Sequence, residues 1–186
     1  MSIITDIRES RKLELARSQP NLSFLPFSAS KMLATIHADL FPDVGQTVQL
    51  SFVTKGPLAC IAHSSELASI YIHQLLNHSE TPVAVIGLII KHELLHLRIP
   101  PTIIDGKEVQ HHPAFWEAEK AIAPERRSAW MWIGENLWSC IRRRPQLQRI
   151  DVLSSWKQIW SQPKTDIATC EQMAARPEQA EDDGGW

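Results

Sequence analysis

The stretch "TPVAVIGLIIKHELLHLRIPP", residues 81–101, leaves a folding chain few choices. Pro82 stands where a helix can open, because a proline at the first helical position lacks only an N–H that would have no intrahelical partner, and Thr81 before it is a capping residue type. Pro100 and Pro101 cannot continue a helix and push the residue before them into extended backbone. Between these stops Val83, Ile86, Ile90, Leu94 and Leu97 recur at helical spacing, which predicts a helix ending near Arg98. Its apolar run over 83–90 is far shorter than the roughly 20 residues needed to cross a bilayer. A buried core helix, around which the rest of the chain must pack, is the remaining reading.

Polar side chains interrupt this helix in its last two turns. His92 and His96 are four residues apart, which on a helix is about 400° of rotation and about 6 Å of rise, so both imidazoles leave the same side and can reach one ion. Glu93 is turned about 100° from His92. It is badly placed as a ligand to that ion but well placed to take a proton from a water bound there. The alternative is an amphipathic helix that carries the H-E-x-x-H pattern by accident. Against it, buried imidazoles need partners, and a metal supplies one for both.

Two histidines do not complete a catalytic zinc site, which takes three protein ligands and keeps a fourth position open. The candidates lie in "HHPAFWEAEK" over 111–120, behind a loop with a turn at Asp105 and Gly106 and with Phe115 and Trp116 available to pin the segment against the core. His111, His112, Glu117 and Glu119 all qualify by spacing.

The flanking chain reads as follows. Ser28 or Ser30 caps a helix whose apolar positions are Met32, Leu33, Ile36 and Leu40, with Pro42 as its stop. "TVQLSFV" alternates apolar and polar residues as a half-buried strand does, "LACIAH" returns as its partner, and "ASIYIHQ" adds a third strand. Pro113 and Pro124 are each placed to open a helix. The expected fold class is α+β: a small, mainly antiparallel sheet packed on the motif-bearing helix, with additional C-terminal helices. Residues 1–20 read as a charged arm, 21–163 as one domain and 164–186 as an acidic tail too poor in apolar residues to fold.

Composition bounds the function. With 44% hydrophobic and 22% charged residues and a net charge of -2, nothing global selects nucleic acid or a membrane as partner. Cys60, Cys140 and Cys170 are too scattered for a zinc ribbon or a disulfide framework, and the start of the chain lacks the apolar core of a secretory signal. These features predict a cytoplasmic location. Trp116, Trp130, Trp132 and Trp138 read as packing residues, and His37, His63, His73 and His78 as surface or structural histidines. The basic cluster "RRRPQLQR", 142–149, reads first as a solvated face and only second as a nucleic-acid contact.

"VIGLIIKHELLHL" followed by "HHPAFW" resembles the SprT-like and YgjP-like (WSS-type) zinc metallopeptidases, whose helix carries H-E-[LM]-x-H and whose third ligand is a histidine shortly before an aromatic residue. The similarity covers roughly residues 30–120 and includes the strand, short loop and helix of "SIYIHQLLNHSETPVAVIGLIIKHELLH". It implies a zincin-like fold, one Zn2+ on His92, His96 and His111, Glu93 as general acid/base, and a protein or peptide substrate. It further implies that the strand before the helix, which carries Tyr71, is an edge strand that pairs with substrate; Tyr71 itself reads first as a packed strand tyrosine and second as a donor to an oxyanion. Three departures are plain: no cysteine-rich zinc ribbon follows, which weakens the case for a protease acting on protein–DNA complexes; the loop from His96 to His111 is longer than in YgjP-like proteins and nearer the SprT-like range; and His112 replaces a small residue beside the third ligand. A metal-binding scaffold that does not cleave is the competing class.

Overall fold

Ser28 opens the first element. Its hydroxyl accepts the Lys31 N–H, and α1 runs Ala29–Leu40 before Phe41 and Pro42 end it. The computed structural model describes residues 23–176, so the charged arm expected over 1–20 lies outside the described residues, as do 177–186 of the expected tail.

Three strands follow: β1 (Thr47–Val53), β2 (Ala59–His63) and β3 (Leu67–His73). The expected pairing of β1 with β2 is corrected: the order is β1-β3-β2, with β3 parallel to β1 and antiparallel to β2. The sheet is thus mixed. Burial explains the order, because β3 is the strand whose residues from Ala68 to His73 are all buried, and such a strand must be covered on both faces and flanked on both edges. The β2–β3 turn is closed locally by Ser64, whose N–H donates to the Leu67 carbonyl at 2.8 Å.

The central helix α2 spans Val83–Arg98. It starts one residue later than the capping pattern predicts: Pro82 is its N-cap, and the Thr81 hydroxyl is buried without a hydrogen bond. Residues 85–90 are buried all round, as expected of a helix enclosed by α1, β2 and the later helices rather than lying on a surface. Arg98 fastens its C-terminus by pairing with Asp43, donating to the Leu40 carbonyl at 2.6 Å and lying 4.4 Å over the Phe41 ring.

Beyond the helix, β4 (Thr102–Ile104) and β5 (Lys107–Val109) form a hairpin through Asp105 and Gly106, both at positive φ as a tight two-residue hairpin turn requires. α3 (Pro113–Ile122) opens on Pro113 as expected, whereas α4 (Arg126–Leu137) starts two residues after Pro124. β6 (Ile141–Arg144) and β7 (Arg149–Val152) form a second hairpin, and residues 154–161 make a 3-10 segment.

The tail expectation is corrected within the described residues. α5 (Ile167–Ala174) is capped by the Asp166 carboxylate and packs on α4, and it fully buries Cys170. Asn136 ties this end of the chain to α4, accepting the Thr165 N–H at 2.7 Å and donating to the Thr165 carbonyl at 3.1 Å. Of the tryptophans read as packing residues, Trp132 is buried and Trp116 and Trp130 partly so, but Trp138 is 64% exposed. Among the described residues, no helix is long and apolar enough to cross a membrane. The architecture is α+β.

Candidate metal centre

The last two turns of α2 and the residue that leads into α3 meet at one point. His111 Nε2 lies 3.1 Å from His92 Nε2 and 3.1 Å from His96 Nε2, and the three side chains form one group whose ligand atoms all lie within 4.8 Å of one another. Phe115, one helical turn after His111, is fully buried and lies against all three rings, stacked on His96 at 4.6 Å and edge-on to His92 and His111. Trp116 stacks on His111 at 5.1 Å. The aromatic pair thus braces the His111 segment, as its position in the sequence suggested.

Each histidine turns its Nε2 to this point. The Glu119 carboxylate can only accept, so the 2.6 Å contact with His92 Nδ1 holds a proton on Nδ1 and makes Nε2 the atom turned to the centre. Burial pushes His96 down to about 2, with the charges of His92, His111 and His63 adding to the fall. Burial likewise pushes His111 down to about 3, His92 again adding. Both rings are therefore neutral at pH 7, the form that binds metal.

His111 Nε2 carries at most one proton, so it cannot make a full hydrogen bond to His92 Nε2 and to His96 Nε2 at once. A cation accepts all three lone pairs at once. Three nitrogens about 2.0 to 2.1 Å from a tetrahedral ion lie about 3.3 Å apart, close to the 3.1 Å contacts here. The residues present fit a zinc-type ion.

Glu93 is buried on the same helix, 5% exposed. Burial raises its carboxyl to about 7; His92 opposes the rise and the Glu119 carboxylate adds to it. A carboxyl near neutrality exchanges its proton readily at physiological pH.

The competing ligands sit elsewhere. The His112 ring is turned to the Pro100 carbonyl, 3.2 Å away, and Glu117 is solvent-facing beside Lys120. Glu119 is fully buried behind His92, held by Arg126, whose Nε donates to Oε2 at 2.5 Å. Burial works to raise the Glu119 carboxyl, but the hydrogen bonds and charges of His92 and Arg126 outweigh it and hold it below the ordinary value. Glu119 is thus an orienter of His92, a role the spacing argument did not distinguish from ligation. One signal was available: Glu119 lies four residues after Phe115, on the core-facing side of α3, where a carboxylate needs a partner. Arg126 carries no comparable signal.

Tyr71 is buried in the central strand between Ser51 and Cys60. Tyr71 is thus the packed strand tyrosine it reads as first, whereas the expected edge strand is corrected, because both edges of β3 are occupied. The edge strand nearest the centre is β2, which packs on α2 and ends at His63, whose charge acts on His96. His37, His73 and His78 have structural settings: His37 Nε2 is 2.9 Å from the Val44 carbonyl, His73 Nδ1 accepts the Leu75 N–H, and His78 stacks on Trp160. Comparison with family models, with curated proteins and with solved structures finds no match to the chain.

Proposed function

We propose that this chain is a zinc-dependent metallopeptidase of the SprT-like and YgjP-like kind, hydrolysing peptide bonds in a protein or peptide substrate. The observation that carries the reading is the meeting of three histidine Nε2 atoms beside a buried glutamate on one helix. His92, His96 and His111 would hold the ion; imidazole donors of this kind suit zinc. When bound, such an ion makes water acidic enough to be deprotonated near neutral pH and polarises a carbonyl oxygen.

The chain's own groups do the proton work. Glu93, about 100° round the helix from His92, takes a proton on its carboxylate and returns it to the leaving amine, a task that suits a group whose burial sets it near 7. Glu119 and Arg126 fix the His92 ring so that its lone pair keeps one direction throughout. The edge strand β2 offers an extended substrate a place to pair beside the centre, the mode by which peptides add to a sheet.

Metal content per chain and digestion of a peptide library, with chelator-treated protein as control, test the reading together. The expected result is about one zinc per chain and metal-dependent cleavage that Glu93→Gln abolishes while retaining the metal. Full activity in Glu93→Gln would remove Glu93 as the base. Stoichiometric metal with no cleavage of any library member would favour the non-cleaving binding protein.

A further inference from the structure

The three histidines are not held alike. His92 and His96 ride on a buried helix, and Glu119 fixes the His92 ring. His111 has neither support: it precedes α3 at the end of the β4–β5 hairpin, whose residues 102–108 are all exposed, and its ring Nδ1 is buried without a hydrogen-bond partner. Ring stacking on Phe115 and Trp116 limits its tilt but does not locate its backbone.

A side chain from far along the chain does. Gln148, in the turn between β6 and β7, places its carbonyl Oε1 2.8 Å from the Gln110 N–H and 3.2 Å from the His111 N–H, and its Nε2 donates to the Glu108 carbonyl at 3.0 Å. One amide thus takes three backbone groups of the segment ending in His111. Its own backbone is telling. Gln148 lies in the left-handed region, φ 48 and ψ 42, where a glycine is at ease and a residue with a side chain costs energy. A glutamine there is explained if its side chain is what the position needs.

We propose that Gln148 is a positioning residue for the third ligand, so that the C-terminal hairpin sets how firmly His111 completes the metal centre. The proposal rests on the three-histidine reading above. It makes metal affinity depend on a residue 37 positions from the nearest ligand, in an element that supplies no ligand.

The backbone supplies a discriminating variant. Gln148→Gly removes the clamp and relieves the left-handed strain, so the metal-free fold is not weakened at the hairpin turn itself. The experiment is zinc competition against a chromophoric chelator on full-length wild type, Gln148→Gly, Gln148→Glu and His111→Ala, with thermal melts of each metal-free protein. Gln148→Gly is expected to bind zinc about 10- to 100-fold more weakly, the usual cost of losing a group that orients a ligand, while its metal-free melting temperature stays within a few degrees of wild type. Gln148→Glu keeps the acceptor for the Gln110 and His111 N–H groups but sets a carboxylate oxygen against the Glu108 carbonyl, so it should bind zinc more weakly than wild type and more tightly than His111→Ala. Wild-type affinity in Gln148→Gly, with His111→Ala clearly weakened, would overturn the clamp and leave the metal site standing. If Gln148→Gly fails to fold, Gln148→Glu decides: affinity as weak as in His111→Ala overturns the role given to Oε1. Absence of zinc from wild type would overturn the site and the clamp together.

Discussion

Without the Glu119 carboxylate, the His92 Nδ1 proton loses its acceptor and a buried guanidinium loses the charge that faces it. Two measurable effects follow at this scale. Glu119→Gln keeps the shape but lets the His92 ring turn and change tautomer, so zinc affinity should fall about 10- to 100-fold in chelator competition. Glu119→Ala should in addition lower stability by about 3 kcal/mol in denaturant unfolding, because Arg126 is then a buried charge lacking its carboxylate. If Glu119 were itself a ligand, Glu119→Gln would behave like His111→Ala. The helix-borne residues His92, Glu93 and His96 were legible in the sequence because local geometry alone relates them. Glu119 was legible as a candidate but not as the partner of His92, and Gln148 not at all, since a side chain's role across 27 or 37 residues depends on where the chain has gone in between.

Among the elements, the end of the described chain departs most from expectation. The segment over 164–176 carries Ile167, Cys170, Met173 and Ala174 at helical spacing, and α5 packs on α4 through the fully buried Cys170 and through the Asn136–Thr165 hydrogen bonds. Ending the chain at residue 163 should therefore destabilise the fold, with about 1–3 kcal/mol from the Asn136 amide alone, left buried with fewer partners. Denaturant midpoints of the full and shortened chains would check this, and equal midpoints would show α5 to be dispensable. Composition missed this helix because the acidic, apolar-poor residues 177–186 dominate an average over 164–186, whereas Ile167, Cys170, Met173 and Ala174 recur at helical spacing within it. The sheet order was missed for a similar reason. Alternation identifies strands, but β1 and β2 are kept apart by the need to enclose β3 on both edges, which no single strand's pattern expresses.

At the scale of the whole molecule, buried histidines tie stability to pH. Burial pushes His73 down to about 4 in the folded protein, a hydrogen bond with the Thr54 backbone opposing, while an unfolded imidazole protonates near 6.5. Between those values the unfolded chain binds the extra proton, so stability falls as pH drops from about 6.5 to about 4 and this contribution is level outside that window. The loss from His73 is about 3 kcal/mol. Denaturant midpoints at pH 7 and pH 5 should differ less in His73→Asn, whose amide oxygen can still accept the Leu75 N–H; an unchanged difference would exclude His73 as a source. Metal acts on the same scale. Zinc at about 1,000 times its dissociation constant should stabilise the fold by about 4 kcal/mol, and chelation should lower the melting temperature by about 10 °C.

The sequence by itself determined the central helix, its proline-bounded ends and the placement of two imidazoles and a carboxylate on it, because helical periodicity and capping act within a few residues. It also determined that this helix is buried, since apolar side chains cover most of its circumference. Spacing left His111, His112, Glu117 and Glu119 open and the resemblance pointed to His111; the tertiary structure brings His111 to that histidine pair, turns His112 and Glu117 away and sets Glu119 behind His92. The reason is physical: the answer is set by the path of an exposed hairpin, by a phenylalanine platform and by an amide reaching in from the C-terminal hairpin. Each of these is a contact between segments whose separation in sequence carries no information about their distance in space.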